Sequence, residues 1–335
     1  MPASTDTTPR ILLTGGAGFI GSHFVRTLLT GGFPPLAGAH VTVLDKLTYA
    51  GNPANLDPVR DRTGFAFVEG DITDAALVDS VMAEHDAVVH FAAESHVDRS
   101  IEGSADFVIT NVVGTHTLLD AALRHGVGPF VHVSTDEVYG SIPEGSWPET
   151  DPLAPNSPYS ASKASSDLIA LSYHRTHGLD VRVTRCSNNY GPYQFPEKVI
   201  PLFITNLLDG QKVPLYGDGL NVRDWLHVDD HCQGLALVLE KGRAGEIYNI
   251  GGGTEITNRE LTERLLKACG ASWDSVEYVE DRKGHDRRYS VDWTKLRDEV
   301  GYSPRHDFDT GLAETVAWYR DNRTWWEGLK QERTP

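Results

Sequence analysis

The chain has 335 residues, enough to bury a large core in one or two domains, and 40% of them are apolar. Its formal charge of −17 at pH 7 argues against nucleic acid as a partner, because that binding needs clustered cations. No apolar run approaches the ~20 residues that span a bilayer, and Met1–Arg10 lacks the apolar core of a signal peptide. A soluble, cytoplasmic, globular protein is expected.

Along the chain, Met1–Arg10 reads as a frayed tail. Apolar runs at Ile11-Leu12-Leu13, Val41–Leu44, Phe65–Val68, Ala87–Phe91, Phe130–Val133 and Val181–Val183 read as buried strands. Their near-continuous apolar character suits a parallel sheet covered on both faces. Helical patterns lie between them at Gly21–Leu29, Ser104–His125 and Tyr159–His177. The alternation predicts an α/β fold, a Rossmann-type doubly wound parallel sheet. After Asn188 prolines and glycines cluster at 191–196 and 214–219. A strand at Glu246–Ile250 and helices at Asn258–Ala268 and Thr310–Asn322 follow. The expected organisation is a tail (1–10), a Rossmann domain (11–188) and a smaller C-terminal α+β lobe (189–335). The boundaries are interleaved, one segment being free to rejoin the first sheet.

Gly15, Gly18 and Gly21 follow a strand and open a helix. Such a turn permits a tight bend, close backbone approach to a pyrophosphate and tight helix–strand packing. The helix N-terminus offers free N–H groups to phosphates. Asp45 ends the second strand, near the ~20-residue spacing of a carboxylate that binds ribose hydroxyls. An anion there repels a 2′-phosphate, so NAD is favoured over NADP. Asp71 follows the third strand and is a candidate for the adenine amine. The Gly-x-x-Gly-x-x-Gly spacing points to the short-chain dehydrogenase/reductase group. Cys186, Cys232 and Cys269 are too scattered for a disulfide framework or a zinc site. The histidines are read as offering no metal-binding pair on a helix, and no metal is expected.

Tyr159 and Lys163 stand at i and i+4, on one helix face. A free phenol, with pKa ~10, is a poor base near neutrality. A cationic Lys163 and a positive nicotinamide are expected to lower that value. Asp136 and Glu137 stand side by side at the end of a strand, a proton-handling arrangement. Neighbouring side chains on extended backbone diverge, which lets the two acids serve different carbons, and their repulsion raises one pKa. Two solvated loop acids are the plain alternative. A basic patch for an anionic substrate must overcome the negative field, with Lys198, Arg223, Arg282, Arg287 and Arg288 as candidates.

Thr14–Gly21, Thr135–Gly140 and Tyr159-x-x-x-Lys163 resemble the extended short-chain dehydrogenases that act on nucleotide sugars. Within that group Ala92–Ser100, Ser187–Pro192, Phe195–Lys198, Asn221–Trp225 and Gly284–Tyr289 are similar to the dTDP-glucose 4,6-dehydratase family, from about Ile11 to Trp326. Lys283 stands where that pattern has proline.

The resemblance implies a redox-neutral dehydration with NAD kept in place. Tyr159, supported by Lys163, would deprotonate the 4-hydroxyl while Thr135 bonds that oxygen. Glu137 would remove the C5 proton, and Asp136 would protonate the departing 6-hydroxyl. Cofactor contacts are implied at Gly15, Gly18, Phe19, Ile20, Gly21, Asp45, Lys46, Leu47, Thr48, Asp71 and Ile72. They continue at Phe91, Ala92, Ala93, Ser95, Thr110, Tyr159, Lys163 and Asn189. Substrate contacts are implied at Ser95, His96, Thr135, Asn188, Lys198, Val199, Pro214, Tyr216, Arg223, Asn258, Arg282 and His285. A homodimer is expected, built on the two long helices. An epimerase or decarboxylase of the same fold is the nearest rival, and the acid pair weighs against it. A non-catalytic NAD-sensing regulator is another, opposed by the intact Thr135, Tyr159 and Lys163.

Overall fold

A computed structural model of the chain describes residues 8–331. Met1–Thr7 of the expected tail lie outside the described residues, whereas Arg10 is not tail: it opens β1 (Arg10–Thr14). The glycine turn leads into α1 (Phe19–Leu29), two residues earlier than the pattern suggested. Then come β2 (His40–Asp45), β3 (Phe65–Glu69), α2 (Ala75–Met82), β4 (Ala87–His90) and α3 (Val97–Glu102). The single helix expected over 104–125 is divided into α4 (Ala105–Phe107), a π-helical turn over Val108–Gly114 and α5 (Thr115–His125).

β5 (Phe130–Thr135) ends in a 3₁₀ turn at Asp136–Tyr139. α6 (Pro158–His177) starts at a capping box formed by Ser157 and Ser160, with proline in its first turn where no N–H is needed. β6 (Val181–Cys186), β7 (Asn188–Tyr190), α7 (Val199–Leu208), β8 (Val213–Tyr216), β9 (Val222–His227) and α8 (Val228–Lys241) follow. The remainder is β10 (Ile247–Ile250), β11 (Glu255–Thr257), α9 (Asn258–Cys269), β12 (Val276–Val279), α10 (Thr294–Val300), α11 (Phe308–Asp321) and α12 (Arg323–Gln331).

Seven parallel strands form the main sheet in the order β10-β6-β5-β4-β1-β2-β3. β10 comes from beyond residue 189 and pairs with β6, Ile247 opposite Val183. Residue alternation sorts the strand side chains. Ile11 and Leu13 join α1, α8 and α10 in one core, while Leu12 joins α2, α5 and α6 in the other. β3 corrects the expectation of six buried strands: it is the sheet edge, and Phe67 is 37% exposed. A third core gathers α7, α9, α11 and α12 beside the short ladders β11-β9-β7 and β12-β8. The carboxyl ends of β1, β4, β5 and β6 face this lobe across a crevice, the usual ligand position in such a sheet.

Candidate active site

The crevice is a cavity of about 490 Å³. Every residue implied for cofactor, substrate or chemistry lines it except Leu47. Leu47 sits at φ +54 in the turn after β2, where its N–H donates to Asp45 Oδ1 at 2.9 Å; its role is in the backbone.

At the glycine turn, Gly15 adopts φ +73, and a Cβ there would lie 2.6 Å from Ala92 N. A Cβ on Gly21 would lie 2.4 Å from Gly15 O. Gly18 differs: its Cβ would meet Gly15 O at 3.3 Å and otherwise open space, leaving room for a ligand to approach the backbone. Asp45 accepts from Ala17 N at 2.8 Å as well as from Leu47 N; burial raises its pKa and these two bonds work against that rise. Asp71 is partly buried, which works to raise its pKa, but the Lys46 ammonium at 2.9 Å and the Thr73 N–H outweigh this and hold it low. Open backbone at Gly18 with an anchored carboxylate at Asp45 fits NAD.

α6 brings Tyr159 and Lys163, both buried, beneath the end of β5. Lys163 Nζ donates to Val133 O at 2.8 Å, and burial lowers its pKa to about 8, with Asp167 and Cys186 opposing the fall. The expected lowering of the Tyr159 pKa is not met in the chain alone. Burial pushes the phenol well above its ordinary value, Glu137, Cys186 and Asp136 push it further, and the Thr135 hydrogen bond opposes them.

The acid pair, expected on extended backbone, lies instead in the 3₁₀ turn after β5. Thr135 is the last extended residue, and its Oγ1 accepts from Glu137 N at 3.2 Å to cap the 3₁₀ turn. At three residues per turn, successive side chains still point ~120° apart. Asp136 is 1% exposed and its Oδ2 has no hydrogen-bond partner among the described residues. Burial raises its pKa well above normal, Glu137 and Asp224 add to the rise, and Arg223 opposes it. Burial also raises Glu137, but three cations, Lys198, Arg223 and Arg282, counter it. Both acids are raised, but Asp136, with acidic neighbours adding to its burial, holds its proton more firmly than Glu137, beside which three cations stand.

On the lobe side, the Arg223 guanidinium donates to the carbonyls of Val222 (2.7 Å) and Asp286 (2.9 Å), lies 4.2 Å from the Tyr289 ring centre and, among the described residues, pairs with no carboxylate. Lys198 donates to Ser95 O at 2.7 Å. Arg282 donates to Asp98 Oδ2 at 2.9 Å, so part of its charge is taken up inside the protein. His96 is driven by burial, then by Lys198, to about 3 and is neutral. His285 holds Asp281 at 2.6 Å. Arg287 and Arg288 are corrections to the basic patch. They pair with Asp218 and Glu255 and do not line the cavity.

Sequence reasoning missed Glu197, which is buried beside Tyr49 and Arg99 with Oε2 free of hydrogen bonds. It also missed Asn111, whose amide bonds Glu94 N, Glu94 O and Ser162 Oγ. Only its three-dimensional neighbours mark Asn111, whereas Glu197 lies within the Phe195–Lys198 motif, where sequence alone gave it no role. A signal that was present in sequence is the pair His227-x-x-x-His231. His227 caps α8 and accepts from Asp229 N, while His231 contacts Asn189 Oδ1 at 2.9 Å. Nearby Asp229, Asp230 and His306 bring ligand-type atoms within 4.8 Å of one another. There Asp230 accepts the N–H groups of Arg305 and His306, and Asp229 faces His23.

The family model described as GDP-mannose 4,6 dehydratase matches residues 12–315. A dTDP-glucose 4,6-dehydratase of Streptomyces antibioticus is 69% identical over 324 residues, 96% of this chain and 95% of the relative. One of Streptomyces niveus is 66% identical over 321 residues, 96% of each. The crystal structure of DesIV, a dTDP-glucose 4,6-dehydratase of Streptomyces venezuelae with NAD bound, superposes with a TM-score of 0.95 at 66% identity, covering 96% of this chain and 99% of that one. Matched over nearly its whole length, the chain belongs to the dTDP-glucose 4,6-dehydratase family of extended short-chain dehydrogenases.

Proposed function

We propose that Thr135, Asp136, Glu137, Tyr159 and Lys163 divide between them the proton transfers of an NAD-dependent dehydration. The chain is a hydro-lyase that converts dTDP-glucose to dTDP-4-keto-6-deoxyglucose and water. NAD is the cofactor; held along Gly15–Gly21 and by Asp45, it would accept the C4 hydride reversibly and add a positive charge beside Tyr159. Thr135 holds the C4 oxygen, and Tyr159 takes its proton. The phenol keeps its own proton in the chain alone, so Tyr159 acts as a base only when added positive charge offsets its burial. The C4 ketone acidifies the C5 hydrogen, which Glu137 removes. Asp136 gives its proton to the C6 hydroxyl and water leaves; C6 then receives the hydride that C4 gave up, and C5 regains a proton through Glu137, which completes the 4-keto-6-deoxy product.

The unequal surroundings of Asp136 and Glu137 support this reading: burial and two acids raise the first against one cation, Arg223, while three cations and one acid, Asp286, stand around the second. Arg223, with its charge unpaired by carboxylate, is assigned to the diphosphate together with Lys198 and the remaining donors of Arg282. Pro214, Tyr216, Asn258 and His285 are assigned to the nucleoside, Asp71 to the adenine amine, and Ser95, His96 and Asn188 to the sugar. The parts built around residues 11–188 hold NAD and the sugar ring, and those from 189 onward supply most of the diphosphate and nucleoside contacts.

A homodimer is the proposed assembly, supported by Val108, Ile109, Val113 and Leu168, which are 47–57% exposed on the π-helical turn and α6. Among the described residues no helix is long and apolar enough to cross a membrane. The free thiols Cys186, Cys232 and Cys269 support a reducing cytoplasm.

Incubation of the purified protein with dTDP-glucose in heavy water, without added reductant, tests the reading. Loss of one water with deuterium at C5 is expected, and Glu137→Gln should abolish C5 exchange. A product of unchanged mass, or one lighter by carbon dioxide, would refute the reading.

A further inference from the structure

The Ala17 peptide in the glycine turn is held from both sides. Its N–H donates to Asp45, and its carbonyl accepts from Asn52 N at 3.0 Å and from Asn55 Nδ2 at 2.8 Å. Asn55 is 2% exposed, and its Oδ1 accepts the indole N–H of Trp325 at 2.9 Å. The Asn55 amide accepts from the indole and donates to the carbonyl at once, which an ionised aspartate, having no donor, and an aliphatic side chain, having neither group, cannot do. Arg26 Nη1 donates to the Asn55 carbonyl at 2.7 Å, fixing its backbone too.

Trp325 lies on α12, 270 residues further along the chain. Its ring packs against Trp318 and against Tyr193, with centroids 5.1 and 5.6 Å away. Tyr193 adopts φ +69, a costly conformation for a bulky residue. Arg26 covers its ring at 4.1 Å. From the neighbouring helix α11, Tyr319 Oη donates to Gln194 O, and Gln194 and Phe195 line the cavity. The α11–α12 pair thus grips the glycine turn on one wall of the crevice and the 191–196 loop on the other.

We infer that Asn55 and Trp325 are positioning residues for the cofactor: the C-terminal helix sets the Ala17 peptide, and with it the direction of the backbone that receives NAD. This rests on the NAD reading above. The test is calorimetric titration of NAD into cofactor-stripped protein. Trp325→Phe keeps the ring and removes the N–H, and should weaken NAD binding about five-fold, as loss of one neutral hydrogen bond does. Asn55→Ala should weaken it roughly ten-fold or more. The double variant should be no worse than Asn55→Ala, because both act through one link.

A merely structural role would lower the melting temperature of Trp325→Phe while leaving its NAD affinity at the wild-type value, and that result overturns the inference. Independent, additive losses in the double variant overturn it as well. A wild-type chain that binds no NAD would bring down the cofactor reading itself, and the inference with it.

Discussion

Removing the Asp167 carboxylate should cost more stability than any surface change in this protein. Asp167 Oδ2 accepts Arg185 Nε at 2.9 Å, and Oδ1 lies 3.3 Å from His132 Nε2. All three side chains are 0–2% exposed. Burial works to raise the Asp167 pKa, but Arg185 and then His132 outweigh it and keep the group ionised. A folded-state value below the unfolded one adds stability that is complete above the usual carboxylate range. That stability is lost as pH falls through the folded value.

In Asp167→Leu the guanidinium would be left buried without its counter-charge, a loss of about 3–5 kcal/mol. At the ~2 °C per kcal/mol of a large domain, the melting temperature should fall by about 6–10 °C at pH 7. Calorimetric melting of the wild type, Asp167→Leu and Asp167→Leu/Arg185→Met gives the answer. The double variant should recover most of the loss, since it removes both charges. A single variant within ~1 kcal/mol of wild type would show that Arg185 finds compensation elsewhere, through Tyr139 Oη at 2.7 Å, and would refute the argument.

Asp136→Asn should reduce turnover by roughly 10²–10⁴-fold while raising the melting temperature near neutrality. The sign follows from its raised folded pKa: stability falls as pH climbs above the unfolded carboxylate value, and Asn removes that loss. Matched turnover and melting measurements check both halves. Lys163, pushed by burial from 10.5 to about 8, releases its proton earlier when folded. Wild-type stability should therefore gain about 3 kcal/mol between pH 8 and 10.5 relative to Lys163→Met. Denaturant titrations of the two proteins across that window would show parallel curves if the idea is wrong. Replacing Ile109 and Leu168 (50% and 57% exposed) with glutamate should convert a dimer to monomers in sedimentation, leaving the fold intact by circular dichroism.

Much of the architecture was legible because its signals are local. Apolar runs a few residues long, glycines three apart, and a Tyr–Lys pair one helical turn apart follow from backbone geometry alone. They were enough to outline the doubly wound sheet, the nucleotide turn and the acid pair at a strand end. Proline, glycine and the motif beginning at Asn221 likewise marked the second lobe.

What the linear pattern left undecided depends on neighbours distant along the chain. Arg223 and Arg287 look alike as residues, yet one keeps its charge free for the cavity and the other gives it to Asp218. The phenol of Tyr159 lies among carboxylates and beneath apolar cover, so burial reverses the shift that its lysine neighbour suggested. Asp136 and Glu137 are consecutive and Glu137 itself raises Asp136, but the other charges around them, Lys198, Arg223, Asp224, Arg282 and Asp286, come within range only on folding. Trp325 and Asn55 meet across 270 residues. Desolvation and hydrogen bonding act through space, so sequence determined which chemistry was available and tertiary structure decided which group performs each part of it.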